Sequence, residues 1–100
     1  MFSPAVGSYT GTGAAINVAL GFEPAFLMIF NDTDRDEMWF WIRGMTAAQA
    51  LAVSTAVATL ASNGITTYAG AAGSTSAGFT AGSGLSESGK TFRYVAFRAP

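Results

Sequence analysis

The sequence predicts an all-β protein, an antiparallel β-sandwich of the jelly-roll-like kind. Three observations carry that reading. Short runs of β-branched and aromatic residues recur at close spacing, separated by turns of Gly, Ser, Asn and Pro. Two of those runs, residues 25–30 and Met38–Ile42, flank a polar loop, as an antiparallel hairpin requires. The last run, Thr91–Arg98, carries aromatics at both periodic positions and reads as the clearest strand in the chain. One hundred residues leave room for a single domain, 1–100, with one core and a thin stability margin.

Taken in order, Gly7-Ser8-Tyr9-Thr10-Gly11-Thr12-Gly13 suits a short edge strand and a turn. Ile16-Asn17-Val18-Ala19-Leu20 alternates with period two, the pattern of a strand with one buried face. Pro24 fixes its own φ and holds Glu23 extended, so residues 21–24 form a turn. The run 25–30 is apolar on both faces, which predicts a central strand. Residues 31–37 carry five of the chain's eleven charges and read as a solvated loop. In Met38–Ile42, Trp39 and Trp41 share one face and Met38, Phe40 and Ile42 the other.

Residues 47–62 fit two patterns. Val53, Val57 and Leu60 sit at helical spacing, with Thr46 as a cap and Asn63-Gly64 as a stop. Leu51, Val53, Thr55, Val57 and Thr59 also alternate with period two. One short helix within 47–62 and a pair of strands therefore both remain open from pattern alone. Beyond them, residues 65–68 form a short β-prone run, 69–76 a Gly/Ala/Ser loop and 78–82 another brief strand.

Composition removes several function classes. The chain has neither cysteine nor histidine, so it lacks thiolate chemistry, disulfides and the commonest general base and zinc ligand. A net charge of −1 with five basic residues does not build the basic face that nucleic acid needs. The N-terminus shows no signal-peptide pattern, and the apolar windows are too short or too interrupted for a membrane helix. Charged residues make up 11% of the chain, against roughly 25% in typical globular proteins. From Gly44 to Ser86 there is no charged side chain at all. Such a stretch is expected to face another subunit, the alternative being an Ala/Ser/Thr-rich coat that needs no charge.

Several motifs invite a chemical reading. Gly84-Leu85-Ser86-Glu87-Ser88-Gly89-Lys90-Thr91 matches the phosphate-binding pattern G-x-x-x-x-G-K-[ST]. That loop works by starting a helix at its Lys-Thr end, and the residues that follow here are β-prone. A turn into the last strand is the expectation, with no nucleotide or other cofactor. Asp32, Asp34 and Asp36 alternate as calcium ligands do, yet Glu37 and Arg43 stand where an EF-hand loop needs its glycine and its bidentate glutamate. No metal is assigned; a weak calcium site at the loop remains the alternative. Glu23, Glu37 and Glu87 show no pairing that marks a hydrolase, and no residue is assigned a catalytic role. Trp39 and Trp41 are candidates for a partner or ligand platform, with core filling as the competing reading. Phe2, Tyr68 and Phe79 complete the candidate contact residues.

These residues together carry a resemblance. Gly21-Phe22-Glu23-Pro24 with its apolar run comes first, then Trp39-Phe40-Trp41-Ile42-Arg43-Gly44 and Asn63-Gly64-Ile65-Thr66. Gly78-Phe79-Thr80-Ala81-Gly82 follows, and last come Ser88-Gly89-Lys90-Thr91-Phe92 and Tyr94-Val95-Ala96-Phe97. In order and spacing, from about residue 7 to 98, they resemble a small β-sandwich domain of phage tail-fibre and other minor virion proteins. The resemblance implies a structural or surface-adhesion role in a virion, assembled in the host cytoplasm, with no catalytic residues. A structural subunit of this kind is expected to associate with capsid or tail proteins or to form a closed homo-oligomer, a trimer being favoured. The resemblance also moves 47–62 toward strand and loop, although the family is usually more polar there. The expected function is thus a capsid decoration or cement protein, or a small tail or fibre component. A receptor-binding module is the alternative.

Overall fold

The computed structural model describes residues 4–69 and 77–98. Phe2 and most of the 69–76 loop lie outside them. Eight strands form among the described residues: β1 (Ala5–Thr10), β2 (Ile16–Ala19), β3 (Pro24–Asn31), β4 (Met38–Ile42), β5 (Gln49–Val53), β6 (Val57–Tyr68), β7 (Gly78–Ala81) and β8 (Thr91–Arg98). A 3-10 turn, Ser83–Leu85, is the only helical element among the described residues. The all-β antiparallel class is therefore present, and 47–62 holds β5 and the start of β6 with a turn between them and no helix.

All eight strands belong to one antiparallel sheet, in the order β1-β8-β3-β4-β5-β6-β7-β2. The sheet curls until it is nearly closed into a barrel. Contacts across the interior mark the curl: the Phe79 ring of β7 meets Tyr94 of β8 edge-on at 5.4 Å. The Tyr9 hydroxyl of β1 donates to the Leu85 carbonyl at 2.8 Å. The two edge strands, β1 and β2, are joined by a short turn. There the Gly13 N–H donates to the Ser86 carbonyl and the Thr12 N–H to the Ser86 hydroxyl.

Period-two alternation sends one set of side chains inward. Leu27 and Ile29 of β3, Trp39 and Trp41 of β4, and Ile65, Phe79 and Phe92 form the core. Size is matched across neighbours: Trp39 lies opposite Ala52, Ile65 opposite Ala81 and Leu27 opposite Ala96. Alanine beside an indole lets the bulky ring fill the layer at native density without strain.

The ambiguous stretch resolves through a bulge. In β6, Leu60 pairs with Ala50 while Ile65 pairs with Gln49, so residues 61–64 bow out of register. Asn63 adopts a left-handed φ of 58°, and a Cβ at Gly64 would sit 2.6 Å from the Gln49 carbonyl carbon. The Asn-Gly pair bends a strand here instead of ending a helix.

Candidate functional site

The outward set of side chains is as apolar as the core over much of the sheet. On β3 it comprises Phe26, Met28 and Phe30; on β4, Met38, Phe40 and Ile42. Val95 and Phe97 of β8 lie beside the first set, and Leu51 and Val53 of β5 beside the second. Val6 of β1 and Val57 of β6 extend it on either side. The central residues are half-buried only because they shield one another. At the periphery Val6 is 70% exposed, Val57 66%, Ile42 53%, Phe97 40% and Leu51 38%. Rows of aromatics tie the face together, with the Phe26 ring 5.8 Å from Phe97 and 6.3 Å from Phe40. A folded monomer scatters exposed apolar residues singly, whereas a contiguous patch marks a contact surface.

The rest of the exterior differs. On β7 and β2 the outward residues include Thr80 and Asn17, whose side chains are bonded to each other at 2.6 Å. One side of the curled sheet is therefore apolar and the other polar.

Charge is confined to the two ends of the strands. At the hairpin end, Asp32, Asp34, Asp36, Glu37 and Glu87 face Arg35, Lys90 and Arg93, a net of −2. At the opposite end stand Glu23, Arg43 and Arg98, a net of +1. The outer face between them has a single charged side chain, Arg93, and it is turned toward the hairpin loop by Asp32 at 2.6 Å.

That loop is more than a solvated turn. The Asn31 side chain is buried, and its Oδ1 accepts the Thr33 and Asp34 N–H groups at 3.0 Å. The Thr91 N–H donates to the Thr33 hydroxyl, and Lys90 bonds Asp34 at 3.2 Å, so the loop is clamped to the start of β8. The Arg93 guanidinium first, and then Arg35, holds the Asp32 carboxyl below the usual aspartate range, while partial desolvation opposes them. Asp34 holds the Lys90 ammonium above its usual range. Partial burial, with Asp36 adding to it, pushes the Glu37 carboxyl up. Two shallow clefts of about 310 and 300 Å³ flank Phe30, one reaching Glu37 and Val53, the other Val6 and Arg93.

The residues singled out in the sequence separate. Trp39 and Trp41 are 3% and 6% exposed and point into the core, so neither ring offers a platform. The physical reason is volume: either face of β4 is apolar, and the larger rings take the interior opposite the alanines of β5. Phe79 is fully buried and Tyr68 half-buried, and Phe2 lies outside the described residues. Trp39, Trp41 and Phe79 meet in the core and not on a surface. The outer face was missed because its residues sit in runs apolar on both faces, where alternation cannot say which side is covered. Nor does the uncharged stretch form one surface. Ala50, Ala52, Ile65 and Phe79 within it are core, while Leu51 and Val57 are exposed.

The other motifs have local explanations. Lys90 and Thr91 enter a strand, and the Lys90 N–H closes a turn onto the Glu87 carbonyl. Asp32 and Asp34 are held by different cations, and no group of three His, Cys, Asp or Glu gathers among the described residues. No helix among them is long and apolar enough to cross a membrane. In comparisons with known proteins, no family model, curated protein or solved structure matches this chain.

Proposed function

We propose that this chain is a structural component of a phage-type virion, a capsid decoration or cement protein or a small tail or fibre part, acting without catalysis or cofactor. It works by packing its apolar outer face against neighbouring subunits. The observation that supports this reading is that face, which runs unbroken across β1, β8, β3, β4 and β5. The motif resemblance supplies the virion setting, and the sheet supplies the means of attachment. Interfaces concentrate aromatics and Met at their centre and leave charge to the rim. Here Phe26, Met28 and Phe40 hold the middle, and the charged clusters stand at the strand ends.

Antibody labelling of virions, viewed in negative stain, provides the test. The expected result is decoration of the capsid or tail by wild-type chain, and loss of that decoration in a Leu51→Lys, Phe97→Glu variant that still folds. Full incorporation of the folded variant, or virions free of the chain, would overturn the proposal. Adhesion of the isolated chain to host envelopes would instead support a receptor-binding role.

A further inference from the structure

We infer that the first occupant of the outer face is a second copy of this chain, laid face to face with its strands running the opposite way. The inference rests on the proposed packing role of that face and adds its partner and orientation.

Area comes first. On a sheet this curled the strands β8, β3 and β4 meet a partner first; laid flat, all five strands at ~4.8 Å spacing and about six residues at ~3.4 Å each would measure roughly 24 by 20 Å. That is about 500 Å² before side-chain relief is counted, and a standard stable interface uses ~800 Å² per partner. The apolar face alone therefore falls short of a stable pair, and the charged ends are placed to supply the rest as its rim. An identical face is a natural match because a two-fold contact uses one patch twice, apolar centre on apolar centre.

Charge then selects the orientation. A two-fold axis parallel to the strands would set hairpin end against hairpin end, net −2 on net −2. An axis across the strands sets the hairpin end, with Asp34, Asp36 and Glu37, against the Arg43 and Arg98 end of the partner, and does so at both rims. Arg43 and Arg98 are exposed and have no ion-pair partner among the described residues. Opposite charges across an interface fix register and suppress the competing arrangement.

The test is sedimentation equilibrium of the whole chain, read at low and high salt. The expected result is a monomer–dimer equilibrium that weakens as salt rises. Leu51→Lys, at an exposed site where folding tolerates it, should weaken dimerisation about tenfold or more, since each dimer carries the change twice. The double variant Arg43→Gln, Arg98→Gln should also weaken it. Tightening with that variant, or with salt, would overturn the orientation, because it would mean like ends meet. A monomer at every concentration, a trimer, or a dimer indifferent to Leu51→Lys would overturn the inference. If the chain were monomeric while Leu51→Lys, Phe97→Glu still abolished virion decoration, the packing role would stand and only the self-pairing would fall. Normal decoration by that variant would remove the packing role itself.

Discussion

Asp32 receives Arg35 at 3.0 Å and Arg93 at 2.6 Å, and these contacts make its ionised form part of the fold. Its folded pKa lies below that of the unfolded chain, so its contribution is present above about pH 3.9 and is lost as pH falls through the folded value. Lys90 works in the opposite sense, contributing below about pH 10.4 and ceasing as pH rises through its own raised value. Glu37 opposes both. Its carboxyl is raised, so the fold binds its proton more tightly than the unfolded chain does, and stability falls as pH rises from about 4.3. Thermal melts across pH check the three together. Asp32→Asn should lower the neutral-pH midpoint and bring the curves together in acid, whereas Glu37→Gln should raise it. A second residue-scale expectation concerns Trp41, whose indole N–H is buried with no partner among the described residues. An unmade buried hydrogen bond costs about 1–3 kcal/mol, which Trp41→Phe removes while leaving a smaller ring. The substitution should therefore destabilise far less than the 3–5 kcal/mol of a buried Trp→Ala, and Trp39→Ala is the control at the full value. Urea denaturation of the two variants distinguishes them.

Among the elements, β7 depends on a missing side chain. A Cβ at Gly78 would overlap the Val18 carbonyl of β2, the strand to which β7 is paired. Gly78→Ala should push β2 away and cost more than 1 kcal/mol, visible as faster amide exchange at Val18 and Leu20 with β3 and β8 unaffected. Other elements are legible in the sequence. Thr91–Arg98 and the hairpin of β3 and β4 follow from β-prone runs and a charged connection, and the structure has them where pattern puts them. Period two also paired Trp39 with Trp41 on one face. What it could not say was which face turns inward, because Met38, Phe40 and Ile42 are as apolar as the indoles. Covering of that second face depends on neighbours, and sheet order is a long-range property: β8 inserts between β1 and β3 from the far end of the chain. The stretch 47–62 was undecided for a different reason. Alanine favours helix, but Ala50 and Ala52 are needed as small residues beside Trp39 and Trp41, and tertiary packing overrides propensity. Asn31 organises the hairpin loop, and an Asn opening a turn of Asp and Thr residues is the sequence signal for that role.

For the molecule as a whole, the two apolar faces of one sheet have different fates. The inner face is covered by the curl, and its core is limited by a chain of 100 residues. A domain of this size buries only about 60–65% of its unfolded surface and stands close to the threshold of stability. The outer face remains exposed on the single copy, so any partner that covers it binds the folded state alone and stabilises it by mass action. A partner at a hundred times its Kd adds about 2.7 kcal/mol, and 1 kcal/mol moves the midpoint of a domain this small by about 4–8 °C. If the partner is a second copy, Tm must climb with protein concentration, by on the order of 10 °C over a hundredfold range above the dimer Kd. A dye that fluoresces on exposed apolar surface should dim per mole over the same range, as the faces close on each other. Leu51→Lys should remove both dependences while leaving the dilute-limit Tm near that of the wild type, because its side chain is 38% exposed in the single copy. A Tm flat with concentration in the wild-type chain would mean that the face is left for a different subunit to cover.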